Sequence, residues 1–383
     1  MMNNDKSKIK VMVGLSGGVD SAVALYLLQK EGYDVHAGFM RNWDAIANND
    51  ISGNPTLLDP ACPQEVDYDD AVKVANELGV TLHRVDFIKE YWDDVFTYFL
   101  KEYAEGRTPN PDIFCNKYIK FEAFLKWAKS LGFDYIATGH YAKKVEKDGI
   151  SYMLKSKDTD KDQTYFLSQL SSAQLEKTLF PLGDVTKSEV RAIAKKLNLT
   201  PANKKDSTGI CFIGERQFRD FLKNYIPAQA GVIKDINTDK VIGSHVGVYY
   251  YTLGQRRGLG IGGLKDYQEN KRWYVCKKDV KNNVLYVAND DHDEHLKSDK
   301  ITLTDVNFIN EPLPSGSVIS VKLRYRQKDL KATYYMNENG AYLRFPTPYF
   351  AVTPGQAAVF YDDDICLGGA IIGDIYFDEI KVN

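Results

Sequence analysis

Residues 9–28 constrain the fold more than any other stretch of the chain. An apolar run over 9–13 reads as a strand buried on both faces. The turn Ser16-Gly17-Gly18-Val19-Asp20-Ser21 follows. Ala22, Val23, Leu25, Tyr26 and Leu28 then recur at helical spacing, with Gly32 as a C-cap candidate. A strand that feeds a glycine-rich turn and a helix N-terminus aims backbone N–H groups and the positive end of the helix dipole at one point. Gly17 and Gly18 carry no Cβ, so the backbone can close on an anion, and Ser16 and Ser21 add hydroxyl donors. The turn has neither the Lys-Ser/Thr of a Walker A loop nor the third glycine of a Rossmann fingerprint. An ordinary capped strand-to-helix turn is the plainer alternative.

Composition narrows the class. The 383 residues suffice for two or three domains with a sizeable core. A formal net charge of −3 gives no global field, so any contact with nucleic acid rests on local basic patches. No run reaches the ~18 apolar residues of a membrane span, and no apolar segment follows Met1, so neither an anchor nor a signal peptide is expected. The cysteines at 62, 115, 211, 276 and 366 have no paired metal spacing, which argues for a reducing cytoplasm, no disulfide framework and no metal site.

Past the first helix, 34–40 reads as a second strand. Its end, Met40, comes to lie beside the first loop in a doubly wound sheet, where ligands bind. The polar stretch 42–66 is a long excursion. A helix from Asp67, a strand over 80–85 and an aromatic helix over 88–103 follow, the last packing Tyr91, Trp92, Phe96 and Phe99 into the core. The loop from Gly106 to Asn116 is stiffened by Pro109 and Pro111. It sets Asp112 and Cys115 three residues apart, just before a helix over 118–131. A thiol near a helix N-terminus, with Lys117 and Lys120 close in sequence, ionises more readily; a buried small hydrophobe is the other reading. The strand 135–137 runs into Thr138-Gly139-His140-Tyr141-Ala142, so His140 reaches the ligand crevice as a functional group or as a structural hydrogen bonder. A hairpin over 145–154 turns at Asp148-Gly149, and a helix ends at Leu197 after the capping sequence 184–190. Cys211 sits on a strand-like piece between Gly209 and Gly214.

From Gly231 the texture becomes β-rich, with 246–253, 273–276 and 284–287 dominated by aromatic and β-branched residues. Tyr249 to Gly260 interleaves tyrosines, arginines and glycines, which suits nucleic-acid contact and equally suits an exposed loop. From Ile301 onward, short strands separated by Pro, Gly and Asn turns argue for a closed barrel. Lys322, Arg324, Arg326 and Lys328 alternate, and on a strand they share one basic face. The expected architecture is α/β: a doubly wound parallel sheet over 1–212, a small β-rich central domain over 213–292 and a C-terminal β-barrel over 293–383.

These pieces together resemble the bacterial tRNA-specific 2-thiouridylases, within the ATP pyrophosphatase (PP-loop) family. The likeness runs nearly end to end. It rests on the Ser16–Ser21 loop, Thr108-Pro-Asn-Pro-Asp-Ile-Phe-Cys-Asn116, Thr138-Gly-His-Tyr-Ala142, Lys161-Asp-Gln163, Asp206-Ser-Thr-Gly-Ile-Cys-Phe-Ile-Gly214, Tyr251-Thr-Leu-Gly-Gln-Arg-Arg-Gly258 and Pro354-Gly-Gln356. It implies ATP-dependent 2-thiolation of the wobble uridine of a tRNA anticodon. AMP passes from ATP to the C2 oxygen, pyrophosphate leaves, and sulfur from a cysteine persulfide displaces AMP. By the same resemblance Gly14, Leu15, Ser16, Gly17, Gly18, Val19, Asp20 and Ser21, with Met40 and Gly139, hold ATP, and Asp20 helps hold Mg²⁺. Cys211 carries the persulfide and Cys115 is the second catalytic thiol. Asp112 acts on the target base, in a pocket lined by Asn110 and Pro111. His140, Lys161, Asp162, Gln163, Arg324, Tyr325 and Gln356 contact tRNA. A Cys115–Cys211 disulfide then closes the cycle. The sulfur comes from a cysteine desulfurase or a relay carrier, and the protein is expected to be a monomer. Two other functions remain. A small-molecule, amide-forming ATP pyrophosphatase explains the loop but not the cysteines or the basic barrel. An RNA-binding protein with an inactive nucleotide domain is opposed by the intact loop.

Overall fold

The computed structural model describes residues 5–51, 54, 63–205, 218–261, 272–290 and 293–382. Strand β1 (Lys10–Gly14) leads into α1 (Val19–Lys30), then β2 (Asp34–Arg41), α2 (Pro63–Leu78), β3 (Leu82–Asp86) and, after a long helical stretch, β4 (Tyr135–Ala137). A hairpin of β5 (Lys143–Lys147) and β6 (Ile150–Leu154) precedes the two-residue β7 (Thr178–Leu179). Strands β3-β2-β1-β4-β7 form one parallel sheet in that order. Its order reverses beside β1, so the loops after β1 and β4 flank a crevice at the strands' C-terminal ends. β1 is buried at Val11, Met12 and Val13, as a strand covered on both faces must be. α1 buries Val19, Val23, Leu25 and Leu28 against the sheet, each contributing about 1.5–3 kcal/mol.

Tyr91, Phe96 and Phe99 pack into the core, as their spacing predicts. Two helical stretches between β3 and β4 contain π-helical turns, Trp92–Phe96 and Cys115–Ala123. The second belongs to one continuous helix from Pro111 to Ser130. This helix starts seven residues before the expected Tyr118, because Asn110 caps it and Pro111 takes the first position, where a missing N–H costs nothing.

The central domain forms a four-stranded sheet, β10-β11-β8-β9, from β8 (Gly231–Asp235), β9 (Val241–His245), β10 (Tyr274–Asp279) and β11 (Val284–Ala288). The expected strand character at 246–253 is absent. Val248–Tyr250 is a 3₁₀ turn, with Tyr250 and Tyr251 buried and the Tyr250 hydroxyl donating to the Ile226 carbonyl at 2.8 Å. Those tyrosines therefore serve the core, while Arg256 and Arg257 are exposed.

The C-terminal strands are β12 (Lys297–Phe308), β13 (Ser317–Lys322), β14 (Leu330–Asn337), β15 (Gly340–Phe350), β16 (Ala357–Asp362) and β17 (Ile365–Phe377). They run in the order β12-β15-β14-β13-β16-β17, and pairing of β12 with β17 closes the barrel. β6 adds to β17, so the hairpin of the parallel-sheet domain extends the barrel sheet. The shared basic face expected at 322–328 does not form. β13 stops at Lys322, and the Gln327 side chain accepts from the Leu323 N–H at 2.9 Å, closing a turn in which Arg326 sits at φ +64. Lys322 instead points inward, 3.8 Å from both Asp162 and Asp329. Among the described residues no helix is long and apolar enough to cross a membrane.

Candidate active site

The first loop is built to receive an anion. The Leu15 N–H donates to the Gly38 carbonyl at 2.9 Å, which keeps the chain extended past β1. Gly17 then turns it at φ +72, and Gly18 opens α1 with no side chain capping the helix. The first N–H groups of α1 are thus left to an incoming ligand. The Ser21 hydroxyl donates to the Gly18 carbonyl at 3.0 Å and accepts from the Ser16 N–H at 3.2 Å, holding the turn shut. Leu15 and Val19 are buried, so this loop offers its backbone rather than those side chains. Gly139, just past β4, presses against it: a Cβ there would lie 2.7 Å from Ser21 N. The Met40 methyl lies close to Gly14, 3.2 Å from the place of an added Cβ.

Asp20 faces the same crevice. Lys187 Nζ lies 2.7 Å from each of its carboxylate oxygens, and the Tyr141 hydroxyl donates to Oδ1 at 2.8 Å. Sequence reading missed both partners. Tyr141 stood inside a quoted motif, but Lys187 carried only a helix-capping signal. A phosphate group fits the uncapped helix start. A Mg²⁺ ion finds one carboxylate there, in keeping with the few protein ligands this ion takes, but Lys187 already neutralises that carboxylate. Among the described residues no cluster of three or more ligating side chains forms a metal site.

The second loop carries the thiol. The Asn110 side chain accepts from the Asp112 N–H at 3.2 Å, capping the helix that begins at Pro111. Cys115 lies one turn in, 2% exposed, where the helix passes into its π-helical stretch. Burial lifts the Asp112 carboxyl above its ordinary range, with Lys120 pulling the other way. Burial also holds His140 well below the usual imidazole value, reinforced by Lys120. Thr138 Oγ1 and His140 Nδ1 are 2.8 Å apart. One ammonium therefore favours the ionised Asp112 carboxylate and disfavours the protonated His140 imidazole. Lys117 does not join them; its Nζ donates to Gln169 at 3.2 Å. Cys276 and Cys366 are buried and their thiols are pushed up, Cys366 to about 12, which disfavours the thiolate in both. Cys211, with the whole of 206–217, lies outside the described residues.

The residues assigned by resemblance to tRNA fall into two groups. Lys161 follows Asp158 in a turn, Arg324 donates to the Ala351 carbonyl and to Thr353, and Tyr325 packs on the Phe166 ring at 4.6 Å. The others face inward. Asp162 is 5% exposed and accepts from the Ser156 N–H at 3.1 Å and the Thr164 hydroxyl at 2.7 Å. Gln163 accepts from the Tyr141 N–H at 2.9 Å, beside His140. The Gln356 amide donates to the Thr108 carbonyl at 2.6 Å, four residues before Asp112.

Residues 9–215 match a family model described as a tRNA methyl transferase HUP domain, 219–289 one described as a tRNA methyl transferase PRC-barrel domain, and 298–372 one described as an aminomethyltransferase β-barrel domain. The tRNA-specific 2-thiouridylase MnmA of Mycoplasma capricolum is 54% identical over 377 residues, 96% of this chain and 99% of the relative. The protein of that name from Listeria innocua is 52% identical over 385 residues, 100% of this chain and 99% of the relative. MnmA 1 of Geobacillus kaustophilus is 53% identical over 370 residues, 96% of each. The family-model descriptions speak of methyl transfer and the relatives' names of thiolation; the relatives match from end to end and weigh more.

Proposed function

This chain belongs to the tRNA-specific 2-thiouridylase family, and from that premise we propose how its residues perform the tRNA-uridine 2-sulfurtransferase reaction. The uridine C2 carbonyl is a poor electrophile with a poor leaving group. ATP, held by the backbone of 14–21 with Met40 and Gly139 against it, supplies the remedy: the C2 oxygen attacks the α-phosphorus, pyrophosphate leaves, and C2 now carries AMP as a leaving group. Asp20 would help hold the Mg²⁺ that accompanies ATP, and the ion would offset the phosphates' negative charge.

Sulfur arrives on Cys211 as a persulfide. In one route its terminal sulfur attacks C2 and expels AMP, and the Cys115 thiolate then attacks the inner sulfur, releasing the 2-thiouridine. In the other, Cys115 attacks first and the released hydrosulfide attacks C2. Both routes end in a Cys115–Cys211 disulfide that an external dithiol reopens. Asp112, in a pocket with Asn110 and Pro111, moves the proton at the target base. The wobble uridine must leave its stack to reach it. His140, Lys161, Arg324 and Tyr325 meet the anticodon arm, while Asp162 and Gln163 hold the segment between them. A cysteine desulfurase or a carrier protein loads Cys211, and the enzyme works as a monomer.

One observation carries this reading: Asp112 and Cys115 sit one helical turn apart on a helix whose Phe124 ring packs over Gly14 and Gly38, beside the end of β1 that opens into the 14–21 loop. The test is purified protein with unmodified tRNA, ATP, Mg²⁺ and a desulfurase, followed by nucleoside analysis. A 2-thiouridine peak that needs ATP is expected. Cys115→Ser and Cys211→Ser should each abolish it while tRNA-dependent AMP formation persists. Thiolation at the wild-type rate in either variant refutes the two-thiol mechanism.

A further inference from the structure

The three domains meet around Arg107 and Thr108, and three glycines make the meeting possible. Gly106, in the catalytic domain at φ +77, would place a Cβ 2.6 Å from Val280 of the central domain. Gly254, in the central domain at φ +78, would place one 2.4 Å from the Ala351 Cβ of the barrel. Gly355, in the barrel at φ +88, would place one 2.9 Å from the backbone nitrogen of Thr108, back in the catalytic domain. The contacts run catalytic to central to barrel to catalytic and close a ring.

Inside that ring the barrel grips Thr108 by its backbone. The Thr108 N–H donates to the Pro354 carbonyl at 2.9 Å, and the Thr108 carbonyl accepts from Gln356 Nε2 at 2.6 Å. The gripping loop is itself anchored. The Gly355 N–H donates to the Ile372 carbonyl and the Ile372 N–H to the Gln356 carbonyl, both at 2.8 Å, on a residue of β17 that is fully buried. From the central domain, Thr252 Oγ1 lies 3.5 Å from Thr108 Oγ1. Arg107 is fixed next door by a two-nitrogen fork on Glu102, whose side chain is 5% exposed. A backbone unit bonded through both its polar groups by a neighbouring domain has its position dictated by that domain.

We propose that Gln356 is a positioning residue for the reaction: through Thr108 it fixes the start of the loop that carries Asp112 and Cys115, using one of its two amide N–H donors and leaving its other polar groups to any RNA contact. This rests on the reading of Cys115 as a catalytic thiol. It also gives the Tyr251–Gly258 and Pro354–Gln356 motifs a shared task, since both pack on the same seam.

The test uses the full-length enzyme and Gln356→Leu, which keeps the bulk and removes the donor. Three quantities are read: tRNA dissociation constant, single-turnover thiolation rate, and the rate at which iodoacetamide alkylates Cys115, followed by mass spectrometry of its peptide. The expected result is thiolation slower by about tenfold (the ~1.4 kcal/mol of one lost hydrogen bond) and Cys115 alkylation faster by about fivefold or more, whatever change tRNA affinity shows. Gly355→Ala, which pushes on the same backbone without touching the amide, should reproduce the slower thiolation and the faster alkylation with tRNA affinity kept. Unchanged alkylation in Gln356→Leu overturns the proposal, and if tRNA binding alone weakens, Gln356 is an RNA ligand only. Alkylation reads the loop without any turnover, and the wild-type nucleoside assay alone decides whether the thiolation reading stands.

Discussion

Replacing Gly139 by alanine tests the geometry of the phosphate loop. The added methyl would stand 2.7 Å from Ser21 N, 2.9 Å from the Asp20 carbonyl carbon and 3.1 Å from Ser21 Cα. All three are backbone atoms in the first turn of α1, so no side-chain rotation relieves the contact. To recover an ordinary 3.4 Å contact from 2.7 Å the turn must retreat by about 0.7 Å. A donor at about 2.9 Å from a phosphate oxygen then stands near 3.6 Å, outside hydrogen-bond range. One hydrogen bond to a charged group is worth about 1.5–3 kcal/mol, so ATP affinity should fall about 10- to 150-fold. The overpacking itself costs about 1–3 kcal/mol of stability. Isothermal titration of Gly139→Ala with a non-hydrolysable ATP analogue measures the first effect, and urea unfolding the second. A folded variant that binds the analogue as tightly as wild type would falsify the assignment of the α1 N-terminus as the phosphate site.

Two further outcomes follow from titrating groups. Partial burial holds the Asp112 carboxyl above its ordinary 3.8, so if its ionised form takes a proton from the target base, activity is lost as pH falls through that raised value. The acid limb of kcat/KM for thiolation should lie above the ordinary carboxylate range and disappear in Asp112→Asn; a limb that the variant retains removes Asp112 from that role. Lys278 donates to the Tyr251 carbonyl at 2.8 Å, and burial pushes it down to about 7 from 10.5. Between these values the folded state binds fewer protons than the unfolded one, so stability rises with pH from about 7 to 10.5. Lys278→Met should flatten that rise in urea midpoints, and an unchanged slope contradicts it.

What the sequence made legible was local. The strand, glycine turn and helix of 9–28 are bound by short-range sterics and hydrogen bonds, and they fold as read. The three-residue spacing of Asp112 and Cys115 is of the same kind. The start of their helix was also written in the chain, as Asn110 before Pro111, but the apolar spacing that begins at Tyr118 is louder and moved the expected boundary. Alternation failed at 322–328 because alternation means one face only while the strand lasts, and Gln327 ends it with a side-chain hydrogen bond. Lys187 was invisible for a different reason. It is 167 positions from Asp20, and nothing in a helix-capping sequence announces a partner that the sheet topology alone brings within 2.7 Å.

The glycines paired across β1 and β2 make the same point about the chemistry. Gly14 lies opposite Gly38 in register, and the fully buried Phe124 ring rests on both: Cβ positions there would fall 3.7 Å and 2.7 Å from it. Phe124 belongs to the helix that carries Cys115, so the bare strand faces let that helix ride close above the end of β1, which opens into the 14–21 loop. Any side chain at Gly38 would meet the ring and push on the helix that carries Cys115. The helix is therefore set at Phe124 by the catalytic domain's own sheet, while Thr108 is set from outside by the barrel. Cys115 and Asp112 lie between these two fixed points, one intrinsic to the nucleotide-binding fold and one imported. A nucleotide domain alone supplies only the first. On the proposed two-thiol mechanism, the placement of the thiol loop thus depends on barrel residues more than two hundred positions away.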